Sequence, residues 1–163
     1  DMSYGAVDET ASGTWTETSE GIVLNSDPVS APAFLLVDRK NRHGGTSSVV
    51  LDAPEGLPIQ LFSAIIFFSD GSASREDFRD AHLDLRSTSG KLVTDVALMF
   101  PAYMIASDKF AVPAKGATMH FRFEPNDLGK VAFDHKLLVR NGNDFLLPRY
   151  DRELRFRKQQ ADY

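Results

Sequence analysis

The sequence predicts an all-β fold, an antiparallel β-sandwich with a barrel-like variant possible and at most one short helix. Three observations predict it. Short apolar runs alternate with turn signals at the close spacing of sandwiches and barrels. Several runs alternate apolar and polar residues with the period of two that places one face inward. Twelve phenylalanines among 163 residues supply side chains suited to half-buried pleated surfaces.

The elements follow in order. Asp1 to Ser12 is small, polar and acidic, and reads as a loosely held arm. Trp15 stands in a threonine-rich stretch, and Glu20-Gly21 turns the chain into Ile22-Val23-Leu24, which Pro28 ends. Ala33 to Val37 is a second run, broken by His43-Gly44-Gly45 before Val49-Val50-Leu51. Pro54-Glu55-Gly56-Leu57-Pro58 is a turn by composition, since proline presets φ and glycine tolerates positive φ. Leu61 to Phe68 is apolar on both faces and is the expected central strand.

Ser74, with Asp77 placed to close a capping box, marks Arg75 to His82 as the one candidate helix. Ala81, Leu83 and Leu85 alternate with His82, Asp84 and Arg86, and Ser89-Gly90 turns that strand into Leu92-Val93. Met119, Phe121 and Phe123 alternate with His120, Arg122 and Glu124 in the cleanest pattern of the chain. Leu137 to Arg140 and Asn143 to Leu147 should form a hairpin closed by Asn141-Gly142, the preferred type I′ pair. Leu154 and Phe156 alternate with Glu153, Arg155 and Arg157. The expected organisation is an acidic arm over 1–12, one β domain over 13–158 and a flexible tail over 159–163.

Composition narrows the function classes. A formal charge of −5 argues against a nucleic-acid partner, which would call for a basic face. The absence of cysteine removes disulfides, thiolate metal sites and a cysteine nucleophile together. The longest apolar run, Asp95 to Ile105, is interrupted by Pro101 and is too short for a transmembrane helix. The chain begins at Asp1 without an initiator methionine, so we expect that a preceding segment was removed, which fits export.

Two stretches carry resemblances. Val49-Val50-Leu51-Asp52, Gly56-Leu57-Pro58-Ile59, the following apolar strand and Thr88-Ser89-Gly90 resemble the carboxypeptidase regulatory-like (transthyretin-like) module. The segment from Phe68 to Ala81 is longer and more charged than that module usually has. The likeness implies a sandwich of the immunoglobulin or prealbumin kind. Gly13-Thr14-Trp15, Leu24-Asn25-Ser26-Asp27-Pro28 and Phe121 to Gly129 are similar to a group of uncharacterised bacterial proteins expected to be exported. That likeness implies a periplasmic or extracellular location and no particular activity.

Candidate chemistry is sparse. His43, His82, His120 and His135 include no pair at the three-to-five spacing of a helical zinc site, and their simplest role is solvated surface. No Gly-x-Ser-x-Gly elbow occurs. Ser89-Gly90-Lys91 ends like a phosphate loop, but Leu85 and Leu92 replace its first glycine and its hydroxyl. Asp70, Glu76, Asp77, Asp80 and Asp84 lack the alternation of a calcium loop and read as solvated acids. Glu124 to Gly129 reads as turn chemistry. Arg149, Arg152, Arg155, Arg157 and Lys158 read as charge guarding an edge strand, with an anionic partner as the functional alternative.

These absences point away from an enzyme and away from any cofactor or metal. The expectation is a monomeric, non-catalytic binding or interaction module of the bacterial envelope. Its partner would be a protein or another envelope component, met by His82, Arg86, His120 and Arg122 on polar strand faces. A barrel-like carrier of a small apolar ligand is the alternative, on the phenylalanine excess and Trp15, and a hydrolase comes third.

Overall fold

The computed structural model describes residues 2–4, 7–42, 45–87, 90–149 and 152–157. Within them the chain is built of strands, and its only helical pieces are 3-10 turns at Ile59–Leu61 and Pro101–Tyr103. Several sheets form and none closes into a barrel. The chain divides into two compact units, one made of residues 1–29 and 129–163 and the other of residues 30–128. The sequence reading expects one domain over 13–158. The first unit is discontinuous, so no composition shift or linker marks the division.

The first unit holds β1 (Met2–Tyr4), β2 (Val7–Glu9), β3 (Gly13–Glu17), β4 (Gly21–Ser26), β14 (Lys136–Asn141), β15 (Asp144–Arg149) and β16 (Arg152–Arg157). β1 and β2 pair with each other, and the other five form an antiparallel sheet ordered β16-β15-β14-β4-β3. The expected loose arm contains these two paired strands. Its end is tied down, because Thr10 N–H donates to Gly129 O (2.8 Å) and Asp27 N–H donates to Ser12 O (2.8 Å). The tail expected at 159–163 lies outside the described residues.

The second unit is a two-sheet sandwich. One sheet contains β7 (Ser63–Phe68), β8 (Ala73–Asp77), β10 (Val93–Phe100) and β11 (Ile105–Ala106), ordered β11-β10-β7-β8, with β12 (Phe110–Ala111) also beside β10. The other contains β5 (Ala33–Asn41), β6 (Ser47–Asp52), β9 (His82–Leu85) and β13 (Ala117–Glu124), ordered β5-β13-β6-β9. Its pairings are antiparallel except β13 with β6. Val49, Leu51, Met119, Phe121 and Phe123 from this sheet meet Ala64, Ile66, Val96, Leu98 and Phe100 from its partner in one buried cluster. Phe62 lies among Phe34, Phe100 and Phe123 at ring-centroid distances of 6.0, 4.8 and 5.1 Å. Such aromatic contacts add to the burial of apolar area.

β7 is an interior strand as expected, flanked by β10 and β8. The candidate helix at Arg75 to His82 is instead the end of the strand β8, a loop over 78–81 and the first residue of β9. Asp70 accepts from the Ser72 N–H at 3.0 Å, Gly71 stands at φ 82°, and this turn folds the chain back onto β7. Tertiary pairing overrides the local helix signal. Arg75 and Asp77 then share a strand face two residues apart and form an ion pair at 3.0 Å.

The expected hairpin is present with its turn moved by one residue. Asn141 pairs with Asp144, so Gly142 and Asn143 are the central residues. Gly142 is at φ 63° and Asn143 is not at positive φ, the pattern of a II′ turn, which needs glycine only at the first central position. This register sets Arg140 opposite Phe145, with the guanidinium over the ring at 5.5 Å.

Candidate functional site

Pairing decides where the four candidate binding residues stand. Val50 lies opposite His82 on β9 and beside His120 on β13, so the two histidines share one row and one face, two strands apart. At about 4.8 Å per strand their backbones are roughly 10 Å apart. Arg122 continues the same face of β13 two residues on, and Arg86 follows the end of β9. The opposite face of the sheet carries the buried Met119, Phe121 and Phe123.

Each of the four is held by a neighbouring carboxylate. His120 Nε2 lies 3.0 Å from Asp52 Oδ2, and His82 Nε2 lies 3.1 Å from Asp84 Oδ1. Arg86 donates to Asp84 at 3.3 Å, and Arg122 Nε donates to Glu124 at 2.9 Å. The bond to His82, and then the one to Arg86, keep the Asp84 carboxyl below its ordinary range. Asp84 is therefore an ionised anchor and a poor proton donor. Ser48 on the same sheet face is buried, its hydroxyl 3.2 Å from Thr118 Oγ1 and 3.5 Å from Arg42 Nη1. The sheet face thus carries a set of paired charges.

His82, Asp84 and Arg86 also border a groove of about 590 Å³ with Glu76, Asp77, Arg79 and Asp80, floored by Ile66 and Phe68. It runs between the edge strands β8 and β9; His120 and Arg122 do not line it. Among the described residues no three His, Cys, Asp or Glu side chains converge as a metal would need. His43 lies outside the described residues. His135 pairs with the adjacent Asp134 at 2.6 Å, far from both other described histidines in sequence.

A second surface was not foreseen as a site. One face of the first unit's sheet presents Trp15, Ile22, Leu24, Leu138, Phe145, Leu147 and Phe156 along a groove of about 390 Å³. Registers explain the grouping: Trp15 opposes Leu24, Ile22 opposes Leu138, and Phe145 opposes Phe156. Leu147 is fully buried at the groove's base while Trp15 is 63% exposed at its rim. Three of the polar side chains that line it are engaged within the fold. Ser12 Oγ donates to Asp27 at 3.0 Å, Asn25 Oδ1 accepts the His135 N–H at 2.9 Å, and Ser26 Oγ accepts the Phe133 N–H at 2.8 Å. What the groove offers a ligand is apolar. Its residues come from five strands spread over both ends of the chain, and alternation in each strand is visible in sequence only once the strand order is known.

Of the basic C-terminal stretch, Arg149 ends β15 and Arg152, Arg155 and Arg157 lie on the sheet's outer strand β16, where Arg155 and Arg157 reach Asp144 at 2.8 and 3.5 Å. Lys158 lies outside the described residues. No protein-family model, no curated protein and no solved structure matches the chain.

Proposed function

We propose that this protein is a non-catalytic binding module of the bacterial envelope, and that it binds through the apolar groove of the five-stranded sheet. One observation carries the reading: the groove is apolar along its floor, while Ser12, Asn25 and Ser26 on its rim are bonded inside the fold. Its volume of about 390 Å³ falls in the range of small-molecule pockets, roughly 300–1,000 Å³. The ligand class is a small apolar molecule or acyl chain, held in an open sheet groove without a barrel. The envelope location rests on the sequence resemblance.

Titration with dodecanoate tests this directly, because Trp15 is the only tryptophan and stands on the rim. Its emission should shift saturably, and Phe145→Ala or Phe156→Ala should weaken binding at least tenfold. A response that never saturates, or that survives both substitutions, sinks the groove reading. A screen for esterase, glycosidase, phosphatase and peptidase turnover tests the non-catalytic part. Turnover abolished by changing His82, His120 or Asp84 would replace it with a hydrolase.

The set of His82, Arg86, His120 and Arg122 supports a second reading, a polar interaction face, because His82, His120 and Arg122 share one side of the sheet and Arg86 is bonded to Asp84 on β9. Alanine at Arg86 and Arg122 should then weaken a partner while changing stability by at most about 0.5 kcal/mol.

A further inference from the structure

We infer that the edge strand β3 is a docking strand for a second copy of this chain, joined antiparallel and centred on Trp15. The inference is independent of what the groove binds.

Backbone geometry gives the register. Thr18 N–H donates to Gly21 O and Asp27 N–H donates to Ser12 O, both at 2.8 Å. In an antiparallel ladder, hydrogen-bonded pairs alternate with non-bonded ones. Residues 12, 14, 16 and 18 therefore direct their backbone groups toward β4. Gly13, Trp15 and Glu17 direct theirs outward, along an edge on which every residue of β3 is exposed. The far side of β4 agrees, since Arg140 N–H donates to Glu20 O and Ser26 N–H to Phe133 O.

A two-fold pairing centred on Trp15 satisfies each of those outward groups. It sets Trp15 opposite Trp15 and Gly13 opposite Glu17, so the two glutamates never face each other. Thr14 and Thr16 become cross-strand partners on the other side of the sheet, a favourable pairing. Such an interface is isologous and closed, and cannot propagate into a fibre. Because directly opposed residues share a face, the two apolar grooves would lie side by side across the junction.

Three other edge strands carry guards that β3 lacks. β16 holds Arg155 and Arg157, and β8 holds Arg75, Glu76 and Asp77. β5 bulges at Val37, where the register with β13 shifts between His120 and Phe121, and then runs into Asp38, Arg39 and Lys40. Charges and bulges of this kind deter strand addition. β3 reads Gly-Thr-Trp-Thr-Glu, and its one charge is taken by Arg140 of the same chain.

The absence of cysteine makes the register testable by disulfide trapping. Directly opposed bonded residues have Cα atoms about 5.5 Å apart, within disulfide reach. Trp15→Cys should cross-link to itself under mild oxidation. Thr14→Cys alone should not, but should cross-link when mixed with Thr16→Cys. In sedimentation velocity the unmodified chain should shift from monomer to dimer with rising concentration, with a blue shift of Trp15 emission. Trp15→Lys should stay monomeric, with the unfolding midpoint that the unmodified chain shows at concentrations too low for dimer. A chain that remains monomeric at every concentration overturns the inference, and so does Thr14→Cys trapping as readily as Trp15→Cys.

Discussion

The two units use similar apolar residues in different ways. In the 30–128 unit, two sheets face each other and enclose Phe62, Phe100, Phe121 and Phe123 almost completely. In the other unit, one five-stranded sheet carries Phe145, Phe156, Ile22 and Leu24 on a face that remains an open groove, with Trp15 at its rim. A sheet gains stability from its apolar face only where a second layer covers it. The sandwich converts phenylalanine into cohesion; the five-stranded sheet leaves it lining an open groove.

The largest expected effect probes that contrast. Phe123→Ala should cost the sandwich about 3–5 kcal/mol, as large-to-small core changes do, whereas Phe145→Ala should cost roughly 1–2 kcal/mol for a half-buried ring. Denaturant titrations followed by circular dichroism give both values. Trp15 fluorescence reports the first unit separately, since the sandwich contains no tryptophan. Equal costs would break the comparison.

Gly21→Ala comes next, at about 2–3 kcal/mol. A Cβ at this position would stand 1.9 Å from Leu138 O, so β4 and β14 could not keep their pairing. If the single sheet depends on its ladder more than on a core, the loss should show in Trp15 fluorescence. An unchanged midpoint would mean that the strands can part locally without cost.

Gly142→Val should cost about 1–2 kcal/mol, because the residue stands at φ 63° and left-handed backbone is strained for a side chain. Space is not the issue, since nothing lies within 4 Å of a Cβ built there. Gly142→Asn should recover part of the loss, as asparagine tolerates that region better. Equal midpoints for the two variants would count against backbone strain as the cause.

The smallest effect has the opposite sign. Ser63 is fully buried in the sandwich, and its hydroxyl has no hydrogen-bond partner. Ser63→Ala should raise stability by about 1 kcal/mol by removing an unmet desolvation cost. A clear loss on this substitution would mean that the hydroxyl has a partner in solution.

Local alternation was legible in the sequence, and non-local assembly was not. β13 follows the expected pattern residue by residue, with Met119, Phe121 and Phe123 inward, because a period of two survives whatever the neighbours are. The Leu137 to Leu147 hairpin was legible as a hairpin. Its turn slipped because Asn-Gly and Gly-Asn are both acceptable loops and the strands choose between them. Arg75 to His82 misled because a capping signal is a few tenths to a couple of kcal/mol, less than a full strand pairing returns. The groove escaped notice for a different reason. Trp15, Leu24 and Phe156 belong together only through a strand order that joins the first thirty residues to the last thirty-five.

That joining leaves its mark where the sandwich enters and leaves the rest of the chain. Ser30 N–H donates to Asp127 Oδ2 at 2.9 Å, Asp127 N–H donates to Ser30 O at 3.2 Å, and Asn126 Nδ2 donates to Ala31 O at 2.7 Å. Asn126 at φ 43° supplies the bend that brings these groups together. Pro125-Asn126-Asp127 is thus a clasp on the two ends of an insert. On the other side of the boundary, Ser26 and Phe133 are bonded to each other through both backbone and side chain, so the host sheet also closes its own gap. Chain ends that lie close together are what allow one folded piece to be carried within another. Residues 30–128 therefore begin and end side by side, which is the geometry that lets one folded unit interrupt another without parting its strands.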